Sequence, residues 1–139
     1  MSTVNDLTIP VYTGSIGSWK ISVSRRPLGV HELAERYDRI AAKWSRLTER
    51  LGYPQAYERL LVEFIREAEL TASSKPLRVL DCGVGTGTFA LAFAHAWATP
   101  VCMDAVDVSD VMISYARQRL HQAGLDVAFE RADVCALPY

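Results

Sequence analysis

Cysteine is scarce in this chain, net charge is nearly absent, and no long hydrophobic run occurs. Cys82, Cys102 and Cys135 are its only thiols. Their number is odd and no CxxC pair exists, so neither a disulfide framework nor a thiolate metal centre is indicated; buried free thiols in a reducing cytoplasm are expected. His31, His95 and His121 stand far apart without metal-type spacing, and no metal is expected. Fifteen basic side chains face sixteen acidic ones, which leaves no overall electrostatic footprint for nucleic acid or an anionic membrane. No apolar stretch is long enough to span a bilayer, and the N-terminus has no basic segment leading into an apolar one. A cytoplasmic protein is the expectation. With 139 residues, half of them hydrophobic, the chain suits one globular domain.

Residues 1–29 form a leader rich in Ser, Thr, Gly and Pro. Trp19, Ile21 and Val23 alternate there with Lys20, Ser22 and Ser24. This predicts either a short half-buried strand, paired with Thr8–Tyr12 across a Gly14–Gly17 turn, or a segment without fixed structure. From Val30 the period becomes helical. Leu33, Tyr37, Ile40, Ala41, Trp44, Leu47 and Leu51 share a face, and Gly52 and Pro54 end that helix. A second helix carries Tyr57, Leu60, Leu61, Phe64, Ile65 and Ala68. After a polar connection at 71–75 come a strand at Leu77–Cys82, a glycine cluster, a helix over Thr86–Ala98, and a strand at Val101–Val108. Ser109 is a plausible N-cap for a further helix that Gly124 ends, and Val127–Ala132 is a third strand. Strand, helix, strand, helix, strand is the alternation of a parallel α/β sheet with right-handed crossovers.

The chemistry concentrates where the first of these strands ends, in Val79-Leu80-Asp81-Cys82-Gly83-Val84-Gly85-Thr86-Gly87. Open α/β sheets bind ligands at the carboxyl ends of their strands, and glycine lets a ligand approach bare backbone. Asp107 ends the next strand, where a carboxylate can accept hydrogen bonds from the two hydroxyls of a ribose. Asp133 ends the third strand on the same edge. Three such features on neighbouring strands point to an adenosine-containing cofactor. The glycines at 83, 85 and 87 put Thr88 where the dinucleotide fingerprint has its third glycine. Asp81, two residues before the first glycine, suits a cationic ligand better than a pyrophosphate. A nicotinamide-dependent oxidoreductase is therefore disfavoured.

The blocks VLDCGVGTG (79–87), VDVSDVMISYAR (106–117) and ADVCALP (132–138), in this order and spacing, resemble the class I S-adenosylmethionine-dependent methyltransferases. They are most similar to the small-molecule branch that includes ubiquinone and menaquinone biosynthesis enzymes. The likeness reaches upstream to YDRIAAKW (37–44), in that branch often a helical lid, and covers about residues 30–139. It implies a Rossmann-like three-layer α/β sandwich with parallel strands in the order 3-2-1, a lid over 30–70 and a βαβαβ unit over 77–133. It implies S-adenosylmethionine as cofactor and a small-molecule methyl acceptor as partner. Gly83, Gly85, Thr86 and Gly87 would pack on the methionine portion, with Asp81 near its amino group. Asp107 would take the ribose, Val108 and Met112 the adenine ring, and Asp133 and the Val134 backbone the adenine amino group. Tyr37 would approach the cofactor's carboxylate. Trp44 reads as a core aromatic, Arg36 and Arg39 as solvated. No residue stands out as a catalytic base.

The family's usual C-terminal strands, one of which lies beside the first, have no counterpart here. Leu77–Cys82 is thus expected to be an open, apolar edge built for burial on both faces. A second copy, a partner chain or N-terminal residues are expected to cover it. Two functions follow from the resemblance: methyl transfer to a small molecule, or a non-catalytic cofactor-binding module completed by a partner.

Overall fold

The computed structural model describes residues 10–17, 19–24, 28–70 and 75–137. Strands β1 (Pro10–Ile16) and β2 (Trp19–Ser24) pair antiparallel, with Ile16 opposite Trp19. Of the two readings of the leader, the hairpin is the one found. Its first strand lies later than predicted, because the reversal occurs at Gly17, whose φ of +58° suits a tight turn. Thr8 and Ile9, which the prediction included, lie outside the described residues.

Helix α1 (Val30–Arg50) follows the predicted span, whereas α2 (Tyr53–Glu67) begins a turn before its predicted apolar face, with Pro54 in its first turn and not as a terminator of α1; Gly52, where φ is +73°, separates the two. Glu32 fastens the start of α1, its Oε2 accepting from the Gly29 N–H at 2.9 Å. Among the described residues no helix is long and apolar enough to cross a membrane.

The remaining elements are β3 (Leu77–Cys82), α3 (Thr88–Ala96), β4 (Val101–Asp107), α4 (Asp110–Gln122) and β5 (Val127–Arg131). The three strands are parallel in the order β3-β4-β5, which is the predicted 3-2-1 order read from the other side. Leu77 and Val79 of β3, Met103 and Ala105 of β4, and Val127 and Phe129 of β5 share one face. Ala92, Phe93, Trp97, Ile113, Ala116 and Leu120 pack with them as the core. Small residues on α3 and α4 let the helices come close to the sheet, and the aromatic pair Phe93–Trp97 fills the far end.

The opposite face of the sheet corrects two expectations. Arg78, Cys82, Cys102, Ala128 and Glu130 are exposed there, and Leu80 is 38% exposed. Strand β3 therefore alternates instead of being buried on both faces, as Arg78 within the run already required. Among the described residues, α3 and α4 pack on one face of the parallel sheet, in the Rossmann-like α/β arrangement expected. The thiols are a second correction. Cys82, Cys102 and Cys135 are free, as expected, but all three are exposed. Cys82 and Cys102 lie on the uncovered face, and Cys135 lies in a loop after β5.

Two helix starts carry the site. Ser109 caps α4, its Oγ accepting from the Met112 N–H at 3.0 Å, as predicted. Helix α3 begins two residues later than expected, because Gly87 adopts φ +78° and cannot be helical. A Cβ on Gly87 would meet the Ala116 Cα at 3.1 Å and the Leu120 Cγ at 3.4 Å. This glycine lets the start of α3 pack on α4. Gly87→Ala should therefore destabilise the chain by about 1–3 kcal/mol through both strain and overpacking. Urea unfolding measures this, and a change within a few tenths of a kcal/mol would contradict the packing role.

Candidate functional site

The loop from Gly83 to Gly87 is tied to the end of β4 by its own backbone. The Gly83 and Val84 N–H groups both donate to the Val106 carbonyl, at 2.8 and 3.0 Å, and the Gly87 N–H donates to the Val84 carbonyl at 2.9 Å. Gly83 and Gly85 have φ of +84° and +52°. A Cβ on Gly83 would meet nothing within 4 Å, and one on Gly85 only the Gly83 carbonyl at 3.9 Å. The two glycines thus form a bare cradle. Gly87, predicted to share it, belongs to the packing of α3 on α4.

Asp107 holds this loop to the next one. Its Oδ2 accepts from the Gly85 N–H at 2.9 Å and its Oδ1 from the buried Ser109 N–H at 3.0 Å. Each oxygen keeps a further lone pair for a ligand hydroxyl. Asp133 lies two residues beyond β5, not at its end. Its Oδ1 accepts from the Cys135 N–H at 2.9 Å and caps the short 3-10 turn Val134–Ala136.

These loops open on a cavity of about 480 Å³, a size ordinary for a small-molecule site. Of the residues predicted to bind a cofactor, Tyr37, Gly83, Gly85, Thr86, Asp107, Val108, Met112, Asp133 and Val134 line it. Asp81 and Gly87 do not. Asp81 is only 8% exposed, behind the loop, and its Oδ2 has no hydrogen-bond partner in the protein. Desolvation, and secondarily the charge of Asp107, push its carboxyl up to about 6.

The other side of the cavity comes from the helices, and sequence reasoning missed most of it. Trp44, read as a core residue, lines the cavity with Tyr53, Tyr57 and Phe89. Their rings meet edge to face, at centroid distances of 6.4 Å for Trp44–Tyr53, 5.8 Å for Tyr53–Tyr57 and 5.6 Å for Tyr57–Phe89. The cavity thus has a carboxylate-bearing end beside β4 and β5 and an aromatic end beneath α2. Among its described lining residues the only charged groups are Asp107 and Asp133.

Comparison with known proteins agrees with this layout. The family model described as "Methyltransferase domain" matches residues 79–139, the stretch that holds the glycine loop and both cavity carboxylates. The chain is 34% identical over 74 residues to the demethylmenaquinone methyltransferase of Thermus thermophilus, a match covering 53% of this chain and 33% of that protein. In fold, the chain is similar to the magnesium protoporphyrin IX methyltransferase of Synechocystis PCC 6803 with S-adenosylmethionine bound. That match has a TM-score of 0.62 at 18% identity and covers 81% of this chain and 58% of the other. The cyclase SpnF is similar at a TM-score of 0.60 and 26% identity, over 81% of this chain and 45% of its own. The chain therefore spans about a third of the curated relative and about half of these solved structures.

A cationic adenosyl cofactor fits the residues present: an open glycine cradle, an orphaned buried carboxylate oxygen and a cavity whose described charges are all negative. The raised Asp81 group also has a stability consequence. Below about pH 4 it is protonated in both folded and unfolded chains. Between about pH 4 and 6 the unfolded chain gives up this proton while the fold keeps it, so stability falls across that window by a total of about 3 kcal/mol and is level above it. Asp81→Asn should thus stabilise the ligand-free chain by about 1–3 kcal/mol above pH 7 and by little near pH 4. Urea unfolding at the two pH values checks this, and an equal effect at both would contradict it.

Proposed function

We propose that the chain is the cofactor-binding region of an S-adenosylmethionine-dependent methyltransferase acting on a small molecule. The observation that carries the reading is the meeting of the Gly83–Gly85 cradle with the Asp107 carboxylate at one mouth of the cavity, held by the 2.9 Å bond from Gly85 to Asp107. When bound, the cofactor supplies an electrophilic methyl carbon on a sulfonium, which leaves as a neutral thioether.

The work of the chain's own residues is positioning. Asp107 holds the ribose hydroxyls while keeping its backbone partners. Gly83 and Gly85 admit the methionine portion, and Tyr37 closes over it from the lid. Asp81, buried behind the loop and not lining the cavity, would favour the ammonium group through its charge. Val108 and Met112 would contact the adenine ring, and Asp133 with the Val134 backbone would hold its amino group. Aligning nucleophile, methyl carbon and leaving sulfur accounts for rate in such a displacement, so no base is required unless the acceptor must lose a proton early. The aromatic end, from Trp44 to Phe89, suits an apolar acceptor, in keeping with the relative that acts on demethylmenaquinone.

A second reading keeps the cofactor but not methyl transfer, and the likeness to a cyclase favours it. Turnover of methyl-labelled cofactor with candidate acceptors separates the two. We also infer that the edge of β3, which among the described residues has β4 as its one strand neighbour, is covered by a second copy or a partner chain. Sedimentation equilibrium should then show self-association; a monodisperse monomer with β3 amides fully protected from exchange would rule out an intermolecular cover.

Asp107→Ala should weaken S-adenosylhomocysteine binding by about 1.5–3 kcal/mol, roughly 10- to 150-fold. Gly85→Val should abolish it by filling the cradle, whereas NAD should not stabilise the wild-type chain in thermal unfolding. Calorimetry decides both, and unchanged affinity in either variant would overturn the site.

A further inference from the structure

Helix α1 carries two functional stripes. Leu33, Tyr37, Trp44 and Thr48 line the cavity. Asp38, Ser45 and Glu49, at helical spacings of seven and four, bond the adjacent helix α4 instead. Asp38 Oδ1 accepts the Ser109 hydroxyl at 2.5 Å. Eleven residues later along α1, Glu49 Oε1 meets Arg119 Nη2 at 2.7 Å, and Ser45 Oγ accepts from the same nitrogen at 3.2 Å. Ser109 is the cap of α4 and Arg119 lies in its last turn. The two attachments therefore grip α4 at its opposite ends.

The fully buried residues of α1 are the small Ala34, Ala41 and Thr48, while Leu33, Ile40, Trp44 and Leu47 are only partly buried. Both attachments also continue into the site. Ser109 donates its N–H to Asp107, and Arg119 Nη1 donates to Thr88 Oγ1 at 2.7 Å, at the first residue of α3 behind the glycine loop. Arg119 is 18% exposed in its side chain, so this charge is largely withdrawn from water and committed to its partners.

We propose that Asp38 and Arg119 are positioning residues: two polar latches that seat α1 as the wall of the cavity and couple its seating to the loops that hold the ligand. Releasing either latch leaves the sheet core intact, because neither residue belongs to it. It unseats Tyr37 and Trp44 and lowers ligand affinity without touching the ligand. The ligand side of this inference rests on the cofactor reading; the latch itself does not.

The test uses the whole chain. Hydrogen exchange is measured for residues 30–50 and for β4, and S-adenosylhomocysteine affinity by calorimetry. Asp38→Ala and Arg119→Met should each speed α1 exchange by about tenfold or more and leave β4 protected, as loss of a charge-assisted hydrogen bond implies. Both should raise the dissociation constant at least about fivefold. Asp38→Asn, which keeps an acceptor for Ser109, and Arg119→Lys, which keeps the charge, should recover much of both effects. Raised salt should reproduce part of the Arg119→Met phenotype in the wild type. Unchanged α1 protection, equal loss throughout the sheet, or conservative variants no better than the truncations would overturn the latches. Wild-type failure to bind S-adenosylhomocysteine would sink the cofactor reading instead, leaving the exchange data to judge the latches alone.

Discussion

The carboxylate of Asp107 is the constraint on which the rest of the site depends. It receives the Gly85 N–H on one oxygen and the Ser109 N–H on the other, so one side chain fixes the spacing of two loops at the ends of neighbouring strands. Parallel strands bring those ends together but do not set how the turns beyond them are oriented. A buried acceptor with two backbone donors does, since leaving any of the three unpaired costs free energy. The same bonds hold the group in place before a ligand arrives, which is how a preorganised site is built.

From this anchor the structure grows outward in a defined order. Ser109 passes the constraint to α4 as its cap and to α1 through Asp38. The close contact at Gly87 presses α3 onto α4, and Phe89 then continues as an edge-to-face series through Tyr57 and Tyr53 to Trp44. One end of the cavity is thus ordered by hydrogen bonds and the other by ring packing. This division gives the two ends different chemistry: one suits charge and hydroxyls, the other an apolar surface.

Much of this was legible in the sequence where local pattern decides structure. The alternation of elements, the Ser109 cap, the parallel strand order and nine of the residues around the cavity follow from spacing and from the resemblance. What was not legible depends on distance through space. Gly87 reads the same as Gly83 and Gly85, and only the nearness of Ala116 separates a packing glycine from a cradle glycine. Trp44 sits on an apolar stripe whether that stripe faces a core or a cavity. The cysteines of β3 and β4 were expected to be buried because their neighbours are apolar, yet exposure depended on which face the helices cover. Asp38 and Arg119 gave no signal, since a charge on a helix surface usually meets water.

Asp81 has a consequence for how binding is measured. A carboxyl that titrates near pH 6 is partly protonated in mildly acidic solution, while a cationic neighbour favours its ionised form. If the cationic cofactor proposed above binds beside it, association would expel a fraction of a proton into the medium. The observed heat will consequently vary with the ionisation enthalpy of the buffer, and affinities taken at different pH values will differ although no contact has changed.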